Sequence, residues 1–141
     1  MQPHLTFTIP ETDVPISSLF VALAVLLVLL LAIRVALRRN VAAIGLGDGG
    51  DAELARRIRA HGNAVEYLPL ALLELALLEH AGTSAALLYA LGGTLIVARV
   101  LHAIGLSRSG GRSAGRVLGM LGTWLAMLAM ALLLLWQATH V

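Results

Sequence analysis

The chain has no cysteine and no lysine, and aromatic residues make up only 4% of its 141 positions. Without cysteine it can form neither a disulfide nor a thiolate metal site, and it has no cysteine nucleophile. A thiol reaction would therefore need a thiol that a ligand brings. All ten basic side chains are arginines, but the formal net charge is only +2. Because basic residues do not alternate with aromatic ones, we expect no nucleic-acid partner.

Charged residues are also scarce, at 13% of the chain, whereas hydrophobic residues reach 59% and the mean hydropathy is +0.89. About a quarter of an ordinary soluble domain is charged. The composition therefore indicates an integral membrane protein. Histidines and carboxylates do not cluster at the spacing of metal ligands, so we expect no bound metal.

Apolar runs predict a single all-α membrane domain over residues 1–141, built as a four-transmembrane-helix bundle. The predicted helices span about residues 16–37, 52–80, 85–106 and 116–137. The first run alone is long enough, at about 1.5 Å per residue, to cross about 30 Å of hydrocarbon. Asp51 is the predicted N-cap of the second helix. The short turn over residues 81–84 makes the second and third helices antiparallel neighbours.

Arginines concentrate at two of the predicted connections. They are Arg38, Arg39, Arg56, Arg57 and Arg59 around the first loop, and Arg108, Arg112 and Arg116 around the second. The first 15 residues, the turn over residues 81–84 and the C-terminus contain none. The positive-inside rule therefore predicts cytoplasmic basic loops and both termini outside the cell membrane. The first 15 residues also lack the basic region of a signal peptide, so we expect none.

Polar residues form one stripe on the second helix. At 100° per residue, they fall within an arc of about 100°, and they are Arg56, Arg59, Asn63, Glu66, Tyr67 and Glu74. Glu66 and Arg99 each lie about 10 Å from the arginine-rich helix ends. We therefore expect them to share a polar cluster inside the bundle, as a structural ion pair or as part of a site.

Other membrane-depth or packing residues leave alternatives open. Arg34 lies close enough to its helix end to extend its charge to the interface. Glu74 would be either protonated or paired with an arginine. Gly115, Gly119 and Thr123 have the spacing of small residues that let membrane helices approach closely.

Two segments carry characteristically spaced residues: Arg56-x-x-Arg59-Ala60-x-x-Asn63-x-x-Glu66-Tyr67-x-Pro69-Leu70 and Arg99-x-x-His102-x-x-Gly105. They resemble the signature segments of the MAPEG family, the membrane-associated proteins in eicosanoid and glutathione metabolism. The resemblance covers nearly the whole chain and is greatest to the small bacterial members. It implies a homotrimer that binds glutathione, as a thiol co-substrate, between protomers near the cytoplasmic face.

The resemblance also implies roles for individual residues. By matched position, the residues that would hold glutathione are Arg59, Asn63, Glu66 and Tyr67, with Arg38 assisting from the first helix and His61 as a further polar contact. Apart from the resemblance, the place of His102 near the end of the third helix allows it either to donate a hydrogen bond to a polar ligand or to be a packed or solvated residue. Arg108 and Arg112 are the approximate counterparts of the arginine that activates the thiol. Eicosanoid chemistry is not expected, because His102 and Leu106 stand where such enzymes carry tyrosines.

Three functions remain open at this point. The first is a glutathione-dependent transferase or peroxidase of the bacterial inner membrane, acting on a small hydrophobic electrophile from the lipid bilayer. Arginines would clamp the carboxylates of glutathione, and a nearby guanidinium would lower the pKa of its thiol. The second is a non-catalytic binding or assembly protein of the same fold. The third is a transporter using Glu74 and Arg99, although discontinuous helices and an internal repeat are not evident.

Overall fold

A computed structural model describes residues 14–108, 110–111 and 113–140. These residues form four helices: α1 (Ile16–Ala42), α2 (Ala52–His80), α3 (Ala85–Arg108) and α4 (Ala114–Thr139). The prediction of an all-helical membrane protein is confirmed, and α1 continues to Ala42, beyond its predicted end at residue 37. Residues 1–13, which include most of the predicted polar N-terminal segment, and Arg112 lie outside the described residues.

Three of the helices, α1, α3 and α4, are long and apolar enough to cross a membrane. The 29-residue helix α2 falls short of that composition because Asn63, Glu66 and Glu74 interrupt its apolar part. It nevertheless packs against each of the other three helices. Leucines and valines are exposed along the bundle, as on Leu26, Leu70 and Leu125. Such an apolar exterior suits contact with lipid.

Side chains satisfy the first backbone N–H groups of α1 and α2 in different ways. Asp51 is the N-cap of α2, as predicted, because its Oδ1 accepts a hydrogen bond from the Leu54 N–H at 2.7 Å. Helix α1 has no such cap of its own. Its first backbone N–H groups, on Ile16 and Ser17, instead donate to the carboxylate of Glu79 at 2.5 and 2.8 Å. The end of α2 therefore lies beside the start of α1.

Helices α2 and α3 form the centre of the bundle. Each contacts both α1 and α4, whereas α1 and α4 do not contact each other within the described part of the chain. Arg34 near the end of α1 donates to Ser107 Oγ near the end of α3 at 3.4 Å. Gln137 near the end of α4 donates to Thr83 Oγ1 in the α2–α3 turn at 3.0 Å. The helices therefore alternate in direction.

We call the end of the bundle where α1 and α3 end, and α2 and α4 begin, the arginine-rich end. Here α3 and α4 approach to backbone contact. A Cβ atom on Gly119 would lie 2.5 Å from both the Ala98 carbonyl oxygen and the His102 nitrogen. A Cβ atom on Gly115 would lie 3.1 Å from the Leu101 carbonyl oxygen. The predicted close packing at these glycines is confirmed, and it fixes the position of α4 against His102.

Candidate functional site

A cavity of about 350 Å³ opens at the arginine-rich end between α2, α3 and α4. We call it the polar cavity, and its lining residues are Ala55, Arg56, Arg59, Asn63, His102, Leu106, Gly110, Arg116 and Met120. Its volume lies at the lower end of the range of about 300–1,000 Å³ for small-molecule sites. Three guanidinium groups line it, and none of the described lining residues is acidic. The cavity is therefore suited to an anionic ligand.

Two of these arginines, Arg56 and Arg59, form few hydrogen bonds or ion pairs with the described residues. The Nε of Arg56 is buried and has no hydrogen-bond partner among the described residues. Arg59 Nη1 lies 3.9 Å from Glu66 Oε1, and both side chains are more than half exposed, at 66% and 54%. An exposed pair at this distance contributes little stability. Arg56 and Arg59 thus keep most of their donors available for a ligand.

Asn63 is oriented by a buried arginine of α3. Arg99, which is 2% exposed, donates from Nη1 to Asn63 Oδ1 at 3.0 Å. The Arg99 guanidinium carbon also lies 5.3 Å from the ring centroid of Tyr67, a cation–π contact. Because the Asn63 oxygen is occupied by Arg99, the NH₂ group remains for other partners, and that group can only donate.

The expected cluster of Glu66 with Arg99 is wrong. Arg99 contacts Asn63 and Tyr67, whereas Glu66 is exposed and lies beside Arg59. Arg99 Nε and Nη2 are buried without an acceptor among the described residues. Glu66 and Arg99 lie at a similar depth on antiparallel helices. Glu66, however, does not lie on the face of α2 that turns toward Arg99. Arg99 is therefore a buried cation that Asn63 and Tyr67 only partly compensate.

The His102 ring lies where the polar cavity meets a second one. This apolar cavity, of about 310 Å³, is lined by His102, Arg116, Val117, Met120, Leu121 and Trp124. His102 is 6% exposed, and its Nδ1 lies 2.9 Å from the Arg116 carbonyl oxygen. A carbonyl oxygen only accepts, so Nδ1 carries a proton and donates it. In the neutral ring Nε2 is then an acceptor.

Several residues predicted from the family resemblance do not line the polar cavity. Arg38 pairs with Asp51 at 2.5 Å and Glu53 at 3.3 Å, which ties the end of α1 to the start of α2. The Arg38 hydrogen bond also lowers the pKa of Asp51 below its ordinary value. His61 is half-buried and forms no hydrogen bond with a described residue, and Tyr67 lies against Arg99. Their contacts with a ligand stay predictions.

Of the two expected thiol-activating arginines, only Arg108 is among the described residues, and it does not line the polar cavity. Arg108 is exposed at the end of α3, and Arg112 lies outside the described residues. Arg116 lines both cavities instead, and its Nη1 donates to the Gly111 carbonyl oxygen at 2.8 Å. The sequence offered a signal for it, since Arg116 precedes Gly119 by three residues and so shares its helix face.

The structure also places Arg34 and Glu74, the two charged residues for which the sequence allowed alternatives. Arg34 lies at the arginine-rich end, where its carbonyl oxygen accepts from Arg57 Nη1 at 2.7 Å and its own guanidinium reaches Ser107. Glu74 is half-buried, and its Oε2 has no partner among the described residues. Within one described chain, then, Glu74 does not pair with an arginine.

Comparison with known proteins agrees with this architecture. A sequence model of the MAPEG family matches residues 17–136, which reach from the first turn of α1 into the last turns of α4. The chain is also similar to inner membrane protein YecN of Escherichia coli (strain K12) and of Escherichia coli O6:H1 (strain CFT073). Each is 36% identical over 121 residues, which cover 86% of this chain and 91% of the relative.

Proposed function

The chain belongs to the MAPEG family, and from this premise we propose that it binds glutathione in the polar cavity and activates its thiol toward an apolar electrophile. The observation that carries the proposal is the charge of that cavity. Three guanidiniums and a donor-only amide converge on a space in which no described lining residue is acidic. Glutathione offers two carboxylates, an ammonium group and a thiol, and this chain has no thiol of its own.

The carboxylates of glutathione would bind Arg56 and Arg59. A planar guanidinium with free donors binds a carboxylate through two parallel hydrogen bonds. The NH₂ group of Asn63 would add a third donor, held in direction by Arg99. Glu66, exposed beside Arg59, supplies the carboxylate that the ammonium group of the ligand needs.

The thiol would lie near His102 and Arg116, where the polar and apolar cavities meet. The Arg116 guanidinium would favour the thiolate, the nucleophilic form, as nearby cations lower the pKa of a thiol. Val117, Leu121 and Trp124 would hold the apolar electrophile. The reaction class is thiolate attack with transfer of the glutathionyl group, or reduction of a peroxide. Arg108 and Arg112 remain candidates for assisting from the connection between α3 and α4.

We further propose that the protein is a homotrimer of the inner membrane, with the arginine-rich end in the cytoplasm. The positive-inside rule supports this orientation, and the similar proteins carry the name inner membrane protein. Charged groups at membrane depth normally face a protein interior or a wet cavity. Glu66 is exposed on one protomer, and Glu74 has no partner for its buried Oε2. A neighbouring protomer would cover both.

Removing Arg59 tests the binding site. A charge-assisted hydrogen bond contributes about 1.5–3 kcal/mol, and 1.4 kcal/mol corresponds to a factor of ten in affinity. Arg59→Ala should therefore weaken glutathione binding by about tenfold or more, measured by calorimetry on the purified protein in detergent. Arg59→Lys should recover only part of the affinity, because an ammonium group lacks the planar fork.

Arg39→Ala is the matched control. Arg39 lies at the same end of the bundle, donates to the Gly47 carbonyl oxygen at 2.9 Å and does not line the polar cavity. Its loss removes the same charge and should leave the affinity unchanged. If the folded wild-type protein binds no glutathione at millimolar concentration, the proposal fails, and a non-catalytic membrane binding or assembly protein takes its place.

A further inference from the structure

One ring, that of His102, borders both the cationic cavity and the apolar cavity. We propose that Nε2 of His102 takes the proton from the glutathione thiol as sulfur attacks the electrophile, which makes His102 a catalytic base. This inference rests on the proposed function and adds a step to it. Stabilisation of a thiolate by arginine needs no base, whereas this step gives the thiol proton a defined acceptor.

The first support is the orientation of the ring. The Nδ1–H group donates to the Arg116 carbonyl oxygen, with 2.9 Å between Nδ1 and the oxygen, and Nε2 has no hydrogen bond to any described residue. A base whose second nitrogen is tied to an acceptor has a fixed tautomer and a fixed direction. The backbones of α3 and α4 also lie close together at Gly119, where an added Cβ atom would lie 2.5 Å from the His102 backbone nitrogen. This close contact holds the Arg116 carbonyl oxygen near the His102 ring.

The second support is the position of His102. In the proposed function the polar cavity binds the charged groups of glutathione, and the apolar cavity binds an uncharged electrophile. The new bond must form between the two ligands, and of the residues lining both cavities only His102 carries a group that accepts a proton in its neutral form. The other two shared residues, Arg116 and Met120, are a permanent cation and a thioether.

Charged groups surround the ring on three helices. Arg56 and Arg59 of α2 lie across the polar cavity, Arg99 precedes His102 by one turn of α3, and Arg116 belongs to α4. None of the described residues lining either cavity is acidic. The arginines stabilise the thiolate that forms. The imidazolium formed beside them does not persist, because it returns its proton later in the same reaction.

The step balances for an apolar α,β-unsaturated carbonyl compound as electrophile. The S–H bond breaks, its proton moves to Nε2 and its electron pair stays on sulfur. Sulfur then forms a bond to the β-carbon, while the π electrons of the C=C bond move into an enolate. The imidazolium gives its proton to the α-carbon, so the ring returns to its neutral form. The addition needs no oxidant or reductant.

The test compares two nucleophiles in the full-length protein. His102→Asn keeps an N–H group where Nδ1 donates to Arg116 but removes Nε2. A selenol analogue of glutathione is ionised at neutral pH and needs no base, whereas glutathione does. Since general bases contribute factors of about 10²–10⁴, His102→Asn should lower kcat/KM with glutathione about 100-fold or more. With the selenol, kcat/KM should change less than about threefold, as should the Kd for glutathione.

A second variant and a control keep the result interpretable. His102→Gln, with an amide near the position of Nε2, should show the same selective loss, and circular dichroism with a melting curve checks that both variants fold. His80→Asn alters an exposed histidine at the opposite end and should change neither reaction. An equal loss with thiol and selenol would overturn the base role and leave the proposed function standing. A wild-type protein that binds no glutathione and conjugates neither nucleophile would overturn both.

Discussion

At the scale of single residues, the site depends on a side chain that does not line it. Arg99 is buried, and its guanidinium has Asn63 and Tyr67 as neighbours, with two donors left unsatisfied. A buried cation with incomplete hydrogen bonding costs free energy, which suggests that the arrangement is kept for a purpose other than stability. That purpose, in our interpretation, is to turn the Asn63 amide so that the cavity receives a donor.

Asn63 variants separate binding from stability. Asn63→Asp keeps an acceptor for Arg99 and adds a negative charge, so the free energy of unfolding should equal or exceed that of the wild type. Asn63→Ala leaves Arg99 without this acceptor and should lower that free energy by about 1–3 kcal/mol. Both variants lose the NH₂ donor, so both should bind glutathione about tenfold more weakly. Denaturant titration and calorimetry provide the two measurements.

The aspartate variant is the more informative of the two. If it binds glutathione as tightly as the wild type, the Asn63 side chain does not donate to the ligand, and the orientation imposed by Arg99 has another role. If Asn63→Ala is as stable as the wild type, water or another group satisfies Arg99.

Counting along the chain predicted the depth of Arg99 but not its partner. Rise per residue fixes how far a side chain lies from a helix end, and Glu66 and Arg99 do match in that respect. Which residues of α2 turn toward α3 depends on the rotation of the helix, and here it is Asn63 that meets Arg99. The prediction failed because depth is a property of one helix, whereas contact is a property of two.

At the scale of helices, the sequence was a good guide to existence and length. The apolar runs and the Asp51 cap predicted the four helices closely, since long apolar segments in lipid have to satisfy their backbone hydrogen bonds internally. The role of Arg116 was missed, because it depends on how closely α4 approaches α3. The glycine spacing predicted a close approach, but it did not specify which side chain of α4 that approach brings beside His102.

Gly119→Ala tests this helix contact. The added methyl group would lie 2.5 Å from the Ala98 carbonyl oxygen and from the His102 nitrogen, both backbone atoms that cannot rotate away. The helices must separate, which should lower the free energy of unfolding by about 1–3 kcal/mol. Separation also draws the Arg116 carbonyl oxygen away from His102, so conjugation should slow as well.

Gly93→Ala serves as the matched control in α3. Nothing lies within 4 Å of an added Cβ at Gly93, so the alanine should stabilise the helix by about 0.4–1 kcal/mol. If Gly119→Ala unfolds at the same denaturant concentration as the wild type, the backbone contact between α3 and α4 is looser than described.

At the scale of the whole molecule, the surface of the chain combines a mostly apolar exterior with a few exposed charges. Its exterior is mostly apolar, as lipid requires, but Arg59 and Glu66 are exposed on α2. The polar cavity opens at the same end of the bundle, bordered by Arg59. A second protomer against α2 would cover these charges and close the cavity, so assembly and ligand binding should depend on each other.

Native mass spectrometry tests the assembly. The purified protein in mild detergent should appear at three times the protomer mass of 14.8 kDa. Glutathione should shift the population toward the trimer if it binds between protomers, because a ligand stabilises the state to which it binds. Monomers alone, across several mild detergents and with glutathione present, would contradict both the trimer and the shared site.

The carboxylate of Glu79 at the start of α1 has a consequence for biosynthesis. Glu79 follows Ser17 by 62 residues, so at about 5–20 residues per second it leaves the ribosome roughly 3–12 s later. During that interval the first amide groups of the nascent α1 lack the carboxylate that accepts from them in the folded protein. Only after α2 has been synthesised can Glu79, the last acidic residue of the chain, accept hydrogen bonds from the first amide groups of α1. The first two helices should therefore reach their final packing together, as a hairpin. The start of α1 becomes fixed only once the end of α2 is in place.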